Sequence, residues 1–230
     1  MYDALKEECL KANLLLPEYQ LVDMTFGNVS VIDRDAGVLA IKPSGVDYAN
    51  MQADDMVLVD LEGKRVAGKM NPSSDTPTHV RLYQVFDQIG AIVHTHSRYA
   101  TSFAQALMPI ECYGTTHADA FHGAVPITRK LSRTEVEGEY EWETGNVIAE
   151  RFADLDTAAF PGVLVASHGP FAWGPTGRKA VENALNMEVI AQMAFQTRLL
   201  NPGIEATDAY LLDKHHLRKH GKNATYGQGG

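Results

Sequence analysis

Gly-Ala-Ile-Val-His-Thr-His-Ser, residues 90–97, is the stretch from which the fold and the chemistry of this chain can be predicted. Three apolar residues, two of them β-branched, lead directly into a His-x-His pair, which predicts a buried strand with a polar end. Strand side chains alternate between faces, so His94 and His96 are expected to point the same way and suit a divalent transition metal. The alternative is that both make only local hydrogen bonds at the strand exit, and the pair alone does not choose.

The composition fits a single globular domain spanning residues 1–230. Hydrophobic residues make up 45% of the chain and charged residues 21%, which is an ordinary balance. The net charge of −9 and the lack of a basic run argue against nucleic acid or membrane partners, and no apolar run approaches the roughly 20 residues of a membrane span. Cys9 and Cys112 make no disulfide framework, which fits a cytoplasmic protein.

The order of apolar segments predicts an α/β fold. Apolar residues at helical spacing predict a helix over Leu5–Leu16, which Pro17 is expected to end. Turn residues between paired apolar segments predict two hairpins: Met24–Ile32 with Val38–Lys42, and Met56–Leu61 with Lys64–Ala67. We therefore expect a three-layer α/β domain with a mixed, largely antiparallel central sheet flanked by helices. No Gly-rich nucleotide motif is present, so nucleotide binding has no support.

Further elements are expected in the rest of the chain. Thr76 is predicted to cap a helix that carries Pro77 in its first turn and runs to about Phe86. A long helix with an alanine-rich face should begin at Gly177. The shorter expected elements are helices at Tyr99–Leu107 and Asn146–Phe152, strands at Ile110–Tyr113 and Ala124–Thr128, and a polar loop at Gly114–Asp119.

A second buried strand, Gly162–Gly169, also ends in a histidine. Alone, His168 is best interpreted as a hydrogen-bonded residue at the edge of the core. Beside His94 and His96 it completes three imidazoles with an open coordination position, the pattern of catalytic zinc, although manganese, cobalt or iron accept the same ligands. Asp75 either stabilises a helix start or serves as an occasional or water-mediated metal ligand.

A second group of residues predicts a phosphate site. Lys42-Pro43-Ser44-Gly45 and Ser73-Ser74 combine a lysine, hydroxyls and loop amides ahead of a helix N-terminus, and Asn28 adds a donor. Each segment alone is ordinary turn chemistry, but together they favour phosphate.

A metal beside a phosphate site suggests a phosphorylated sugar as substrate. A metal that binds a carbonyl and an adjacent hydroxyl stabilises an enediolate, which supports carbon–carbon cleavage, isomerisation or dehydration. Asp119, Glu141, Tyr226 and the histidines are the candidates for proton transfer.

Several motifs along the chain belong together. They are Thr-Phe-Gly-Asn-Val-Ser (25–30), Ile-Lys-Pro-Ser-Gly-Val (41–46), Pro-Ser-Ser-Asp-Thr (72–76), His-Thr-His-Ser (94–97), Gly-Thr-Thr-His-Ala-Asp (114–119), Gly-Glu-Tyr-Glu-Trp-Glu-Thr-Gly (138–145), Ser-His-Gly-Pro-Phe-Ala-Trp-Gly (167–174) and a basic tail. From Asn13 to Gln228 the chain resembles the class II aldolase/epimerase family, and the 114–119 segment and the tail are most similar to its epimerase members.

The resemblance implies an activity and a set of residue roles. The activity is the interconversion of L-ribulose 5-phosphate and D-xylulose 5-phosphate by retro-aldol cleavage and re-formation of the C3–C4 bond. The path runs through a metal-bound enediolate of dihydroxyacetone and glycolaldehyde phosphate, with zinc first and manganese or cobalt as alternatives. The implied metal residues are His94, His96 and His168 with Asp75 close by; the implied proton-transfer pair is Asp119 and Tyr226; the implied substrate-binding residues are Asn28, Lys42, Ser44, Gly45, Ser73, Ser74, Thr115, Glu141 and His215.

The resemblance also implies a homotetramer with active sites between subunits. The tail, residues 211–230, is expected to bring His215 and Tyr226 into a neighbouring subunit's site. Two departures from the pattern, Phe26 in place of tryptophan and Thr225 in place of an aromatic residue, touch no chemical role. Asp75 is one methylene shorter than the glutamate of the aldolase members, which favours the epimerase.

Two other functions stay open at this point. One is a class II sugar-phosphate aldolase that releases both fragments, and the other is a non-catalytic relative that serves as a binding module. The sequence leaves undecided whether arabinose catabolism, ascorbate or another sugar supplies the substrate. It also does not assign acid and base between Asp119 and Tyr226, or direct metal ligation to Asp75.

Overall fold

The computed structural model describes residues 2–221 and residue 224. Its α-helices are α1 (Asp3–Glu18), α2 (Thr76–Val85), α3 (Arg98–Gln105), α4 (Thr115–Ala118), α5 (Arg133–Glu137), α6 (Tyr140–Arg151), α7 (Gly177–Leu200) and α8 (Ala209–His220). Its strands are β1 (Asn28–Asp33), β2 (Val38–Ile41), β3 (Val57–Asp60), β4 (Arg65–Ala67), β5 (Ala91–His94), β6 (Gly162–Leu164) and β7 (Pro170–Gly174). Over these described ranges, no helix combines the length and apolar character that a membrane crossing requires.

The strands form one seven-stranded sheet within the described residues, in the order β4-β3-β2-β1-β5-β7-β6. All of its strand pairs are antiparallel, as the two predicted hairpins require. In the part of the chain that the structure describes, the one parallel pairing is an isolated bridge between Ile127 and Leu164. The register places Asn28 opposite His94 and His94 opposite Phe171, so three neighbouring strands carry polar or aromatic residues to one end of the sheet.

Helices cover both faces of the sheet. Because side chains alternate along a strand, Val29 and Val31 of β1 pack into one hydrophobic cluster while Ile32 packs into another. The first cluster includes residues of α1, α3 and α7, and the second includes residues of α2 and α6. The prediction of a three-layer α/β domain with a largely antiparallel sheet is confirmed.

Several local predictions were wrong at their boundaries. Helix α1 continues through Pro17 to Glu18, because a proline in the last turn leaves the final backbone bonds, such as Tyr19 N–H to Leu15 O, intact. Asp75, and not Thr76, is the residue that precedes α2, and its side chain makes no capping hydrogen bond. The helix predicted from Asn146 begins six residues earlier, at Tyr140.

The segment from residue 110 to 128 differs most from expectation. The predicted polar loop at 114–119 contains the short helix α4, in which His117 is buried and donates a 2.8 Å hydrogen bond from Nε2 to the Gly123 carbonyl. The two predicted strands on either side are reduced to an isolated bridge between Ile110 and Val125 and the bridge at Ile127. A buried side-chain contact therefore overrides the turn-like sequence.

Candidate functional site: a metal centre beside an anion cleft

Three histidines converge at the end of the sheet. His94 is the last residue of β5, His96 lies two residues further on, and His168 sits in the turn between β6 and β7. One nitrogen from each lies within 4.8 Å of the others, and the His94 and His96 Nε2 atoms are 3.2 Å apart. Two nitrogens bound at about 2.0–2.1 Å to one tetrahedral ion lie about 3.3 Å apart, so the three side chains fit a divalent metal.

The ring of His94 is fixed in the tautomer that a metal requires. Its Nδ1–H donates a 3.0 Å hydrogen bond to the Pro170 carbonyl, and the ring stacks on Phe171 at 4.2 Å between centroids. Nε2 is therefore left with its lone pair facing His96 and His168. Burial lowers the pKa of His94 below its ordinary value and lowers the pKa of His168 to about 3, so both rings are neutral and able to act as ligands.

Asp75 borders the histidines at the start of α2. Its Oδ2 accepts a 2.6 Å hydrogen bond from Asn28 Nδ2, which also donates to Ser73 Oγ at 3.1 Å. Burial raises the pKa of the Asp75 carboxyl, but the nearby imidazoles of His94 and His79 and the bond from Asn28 outweigh burial and hold the pKa below its usual value. Asp75 is therefore an ionised carboxylate that Asn28, a residue of the predicted phosphate site, holds beside the three histidines.

The residues of the predicted phosphate site line the same cleft as the histidines, a space of about 440 Å³. Its two loops are joined by backbone hydrogen bonds from Ser44 N–H to Asn71 O and from Ser73 N–H to Lys42 O. Gly45 has φ +68°, a left-handed conformation that favours glycine. The predicted residues that the structure brings together in this cleft are Asn28, Lys42, Ser44, Gly45, Ser73, Ser74, Asp75, His94, His96, Glu141 and His168.

Lys42 supplies the positive charge of the cleft. Only 2% of its surface is exposed, and its ammonium donates long hydrogen bonds to the carbonyls of Thr25 (3.3 Å) and Pro43 (3.4 Å). The ammonium also lies 4.8 Å from the ring centroid of Tyr48. Burial lowers the pKa of Lys42, with Asp47 opposing that effect. Two weakly held carbonyl contacts leave the ammonium able to bind an anion.

Asp119 and His215 lie together, but away from this cleft. The Asp119 carboxylate accepts hydrogen bonds from Arg218 at 2.9 Å and from His215 Nδ1 at 3.1 Å, and Lys219 lies 3.4 Å away. Burial raises the pKa of Asp119, but the bonds from Arg218 and His215 and the charge of Lys219 outweigh it and lower the pKa. The cavity that Asp119 lines is a different one, and Lys219 and His220 also line it.

Thr115 is a further predicted residue that does not line the cleft of the three histidines. Thr115, the first residue of α4, is exposed and lines a third cavity together with residues of α7. Tyr226 lies outside the described residues, so its predicted role stays a prediction.

Sequence reasoning missed Tyr140 as a site residue. Its hydroxyl lies 3.3 Å from His168 Nδ1, and the residue lines the cleft beside Glu141. Burial raises the pKa of the Tyr140 phenol, and the charges of Asp75 and Glu141 add to that effect. The sequence did contain a signal for Tyr140, because this residue lies in the 138–145 motif, directly before Glu141.

The chain belongs to the class II aldolase family. Residues 7–195 match the family model described as the Class II Aldolase and Adducin N-terminal domain, which confirms the resemblance seen in the motifs.

One relative and two solved structures are similar to this chain over nearly its whole length. The L-ribulose-5-phosphate 4-epimerase UlaF of Salmonella paratyphi A is 54% identical over 97% of this chain and 98% of its own length. Among solved structures, an L-fuculose 1-phosphate aldolase superposes with a TM-score of 0.72 at 27% identity, covering 92% of this chain and 94% of that one. YgbL from Klebsiella pneumoniae gives a TM-score of 0.73 at 26% identity, covering 93% and 98%.

Proposed function

We propose that this chain is a metal-dependent epimerase that interconverts L-ribulose 5-phosphate and D-xylulose 5-phosphate. The observation that carries the proposal is one cleft lined by three converging imidazoles and by a buried lysine with hydroxyl-bearing loops. The 54% identity to a relative named L-ribulose-5-phosphate 4-epimerase supports this substrate.

At one end of the cleft, His94, His96 and His168 would hold a divalent ion, with zinc first and manganese or cobalt as alternatives. When bound, the ion supplies Lewis-acid polarisation of the ketone and the adjacent hydroxyl. Pro170 and Phe171 keep His94 oriented toward the ion, as described above. The Asp75 carboxylate, fixed by Asn28, would add negative charge at this end of the cleft, either as a direct ligand or through water.

At the other end, the substrate phosphate would lie against Lys42 and the two linked loops. Lys42 supplies a full positive charge, and the hydroxyls of Ser44, Ser73 and Ser74 and the Gly45 backbone supply neutral donors. Holding the phosphate and the ketone at two fixed points positions the C3–C4 bond between them, and this orientation lowers the barrier to cleavage. Glu141 lies beside the sugar in this arrangement.

For the proton transfers we propose Asp119 and Tyr226, acting from a neighbouring subunit. Asp119 lines a separate cavity, while His215 and Arg218 from α8 hold it in an ionised form. The sugar site would then be completed in a homotetramer, where Asp119, Thr115 and His215 of one subunit face the metal cleft of the next. Tyr226 follows α8 in sequence by six residues, so it would enter the same shared site.

The L-fuculose 1-phosphate aldolase at 27% identity keeps an aldolase as the second candidate. An aldolase would use the same metal cleft but would release both fragments. The two activities differ in their products, because an epimerase turns the bound aldehyde and re-forms the bond. Accumulation of glycolaldehyde phosphate during turnover would identify the aldolase. Its absence, with one D-xylulose 5-phosphate formed for each L-ribulose 5-phosphate consumed, would identify the epimerase.

The first test is a coupled assay for D-xylulose 5-phosphate formation from L-ribulose 5-phosphate. Activity should vanish after chelation and return when zinc, manganese or cobalt is added back. His94→Asn should lose activity and metal together, whereas His122→Asn, the same substitution at a half-buried histidine outside the cleft, should retain both. No turnover with any metal would reject the epimerase, and purified protein that binds no metal would favour the non-catalytic binding module.

The shared site has its own test. Asp119→Asn should bind metal normally but turn over about 10²- to 10⁴-fold more slowly, the usual effect of losing a general acid or base. Co-expressing Asp119→Asn with His94→Asn should restore about a quarter of the sites if Asp119 acts across subunits, because each working site then takes one intact half from each chain. If Asp119 acts within its own subunit, the mixture will stay as inactive as its parents.

A further inference from the structure

We propose that Tyr140 fixes the metal ligand His168 through its phenol oxygen and presents its own hydroxyl hydrogen to the substrate. This inference deepens the function proposed above and rests on the same metal site. It starts from the 3.3 Å separation between Tyr140 Oη and His168 Nδ1 and from the position of Tyr140 in the wall of the cleft.

The chain holds Tyr140 firmly. It is the first residue of α6, and its carbonyl accepts a 2.9 Å hydrogen bond from Thr144 Oγ1. The next residue, Glu141, is tied to α2 because its carbonyl accepts a 2.5 Å bond from Thr78 Oγ1. At Gly145 the two helices approach so closely that an added Cβ would lie 2.7 Å from Cβ of Arg81. Tyr140 therefore belongs to the same rigid frame as Asp75, which immediately precedes α2.

The position of the proton on the His168 ring sets the direction of the hydrogen bond between His168 and Tyr140. His168 Nδ1 faces Tyr140, so Nε2 is the nitrogen left for the metal. A neutral imidazole that gives the lone pair of Nε2 to a metal carries its hydrogen on Nδ1. His168 therefore donates, and the Tyr140 oxygen accepts. The phenol is protonated at neutral pH, so its own hydrogen is not used in this bond and remains available in the cleft.

His94 provides the internal comparison. Its Nδ1–H donates to the Pro170 carbonyl, which fixes the ring. A carbonyl has no hydrogen of its own, so it cannot donate a hydrogen bond to a substrate. The phenol of Tyr140 fixes the ring of His168 in the same way and adds a hydrogen-bond donor beside the proposed metal site. A substrate oxygen on the metal would thus receive a hydrogen bond from a group already oriented by a metal ligand. The 3.3 Å separation is longer than a strong hydrogen bond and is expected to shorten when the site is loaded.

Tyr140→Phe removes the hydroxyl and keeps the ring that lies 6.0 Å from His168 between centroids. The matched control is Tyr99→Phe, which removes a phenol that accepts a 3.5 Å bond from Gln192 at the surface. Zinc affinity is measured first, with zinc alone as the probe and a chromophoric chelator as competitor. Tyr140→Phe should weaken zinc binding about 10- to 100-fold, the range found when a group that orients a metal ligand is lost, and Tyr99→Phe should not.

Turnover is measured second, at zinc concentrations that saturate each variant. Tyr140→Phe should still show a kcat lowered about 10-fold or more, because the lost substrate donor is not restored by refilling the metal site. Zinc affinity equal to that of the wild type would overturn the positioning role, and a wild-type kcat at full occupancy would overturn the donor role. Failure of the epimerase assay in the wild type would reject the proposed function, while the zinc competition would still decide the role of Tyr140 at His168.

Discussion

Lys42 offers a quantitative test of the anion site, because its charge is buried without a carboxylate at bonding distance. None of the salt bridges found in the described part of the chain includes Lys42, and its polar contacts are two carbonyls at 3.3 and 3.4 Å. We interpret the site as one in which the free protein bears the cost of a desolvated cation and the substrate phosphate supplies the missing anion. Lys42→Met keeps an unbranched side chain one atom shorter and removes the charge.

The expected effects on substrate binding and on stability have opposite signs. A hydrogen bond to a charged group contributes about 1.5–3 kcal/mol, so KM for the phosphorylated ketose should rise about 10- to 150-fold, with a smaller change in kcat. In phosphate-free buffer the free energy of unfolding should equal or exceed that of the wild type, because the desolvation cost of the ammonium is gone. Inorganic phosphate at ten times the wild-type Kd should stabilise the wild type by about 1.4 kcal/mol and the variant by at most about 0.4 kcal/mol.

Thermal unfolding with and without inorganic phosphate, together with steady-state kinetics, measures all three quantities. Lys11→Met, a change of an exposed lysine on α1, is the control and should alter neither KM nor the phosphate-dependent stabilisation. A wild-type KM in Lys42→Met, or phosphate stabilisation equal to that of the wild type, would refute the role of Lys42 in anion binding.

Three further predictions concern stability. Burial lowers the pKa of His117 from 6.5 to about 4. Because the unfolded chain binds more protons than the folded chain between those pH values, the free energy of unfolding should fall by about 3 kcal/mol as the pH drops from 6.5 to 4. In His117→Gln, urea unfolding measured over this pH range should show a smaller change. Gly162→Ala should destabilise by about 1–3 kcal/mol in urea unfolding, because its Cβ would lie 2.3 Å from Cε of Met187 and 2.9 Å from a backbone oxygen, and an unchanged midpoint would contradict it. Asn13→Ala should cost about 2–4 kcal/mol by calorimetry, since the Asn13 side chain bonds both the N–H (2.8 Å) and the carbonyl (3.0 Å) of buried Val29, and a loss under 1 kcal/mol would mean that water replaces it.

Local pattern was enough to predict most elements of the fold. Alternating apolar residues and turn residues between them depend on neighbours in sequence, so the two hairpins and the long helix from Gly177 were predicted correctly. Strand ends were less accurate: β1 begins at Asn28 and not at Met24, and the strand predicted over Gly162–Gly169 ends at Leu164. The same local rules failed at 114–119, where the buried His117 stabilises a helix in a turn-like sequence. Tertiary contacts of this kind leave no periodic signal.

The sequence by itself indicated the chemistry of the predicted metal and anion residues, because imidazoles next to apolar strands and hydroxyl-rich loops are recognisable by residue type and spacing. Tertiary structure decided which of them meet. Strand β5 ends at His94, and the segment that follows places Nε2 of His96 3.2 Å from Nε2 of His94. Strand register sets Asn28 opposite His94, and the docking of α6 on α2 brings Tyr140 to His168. These contacts join segments dozens of residues apart, and only the packed chain specifies them.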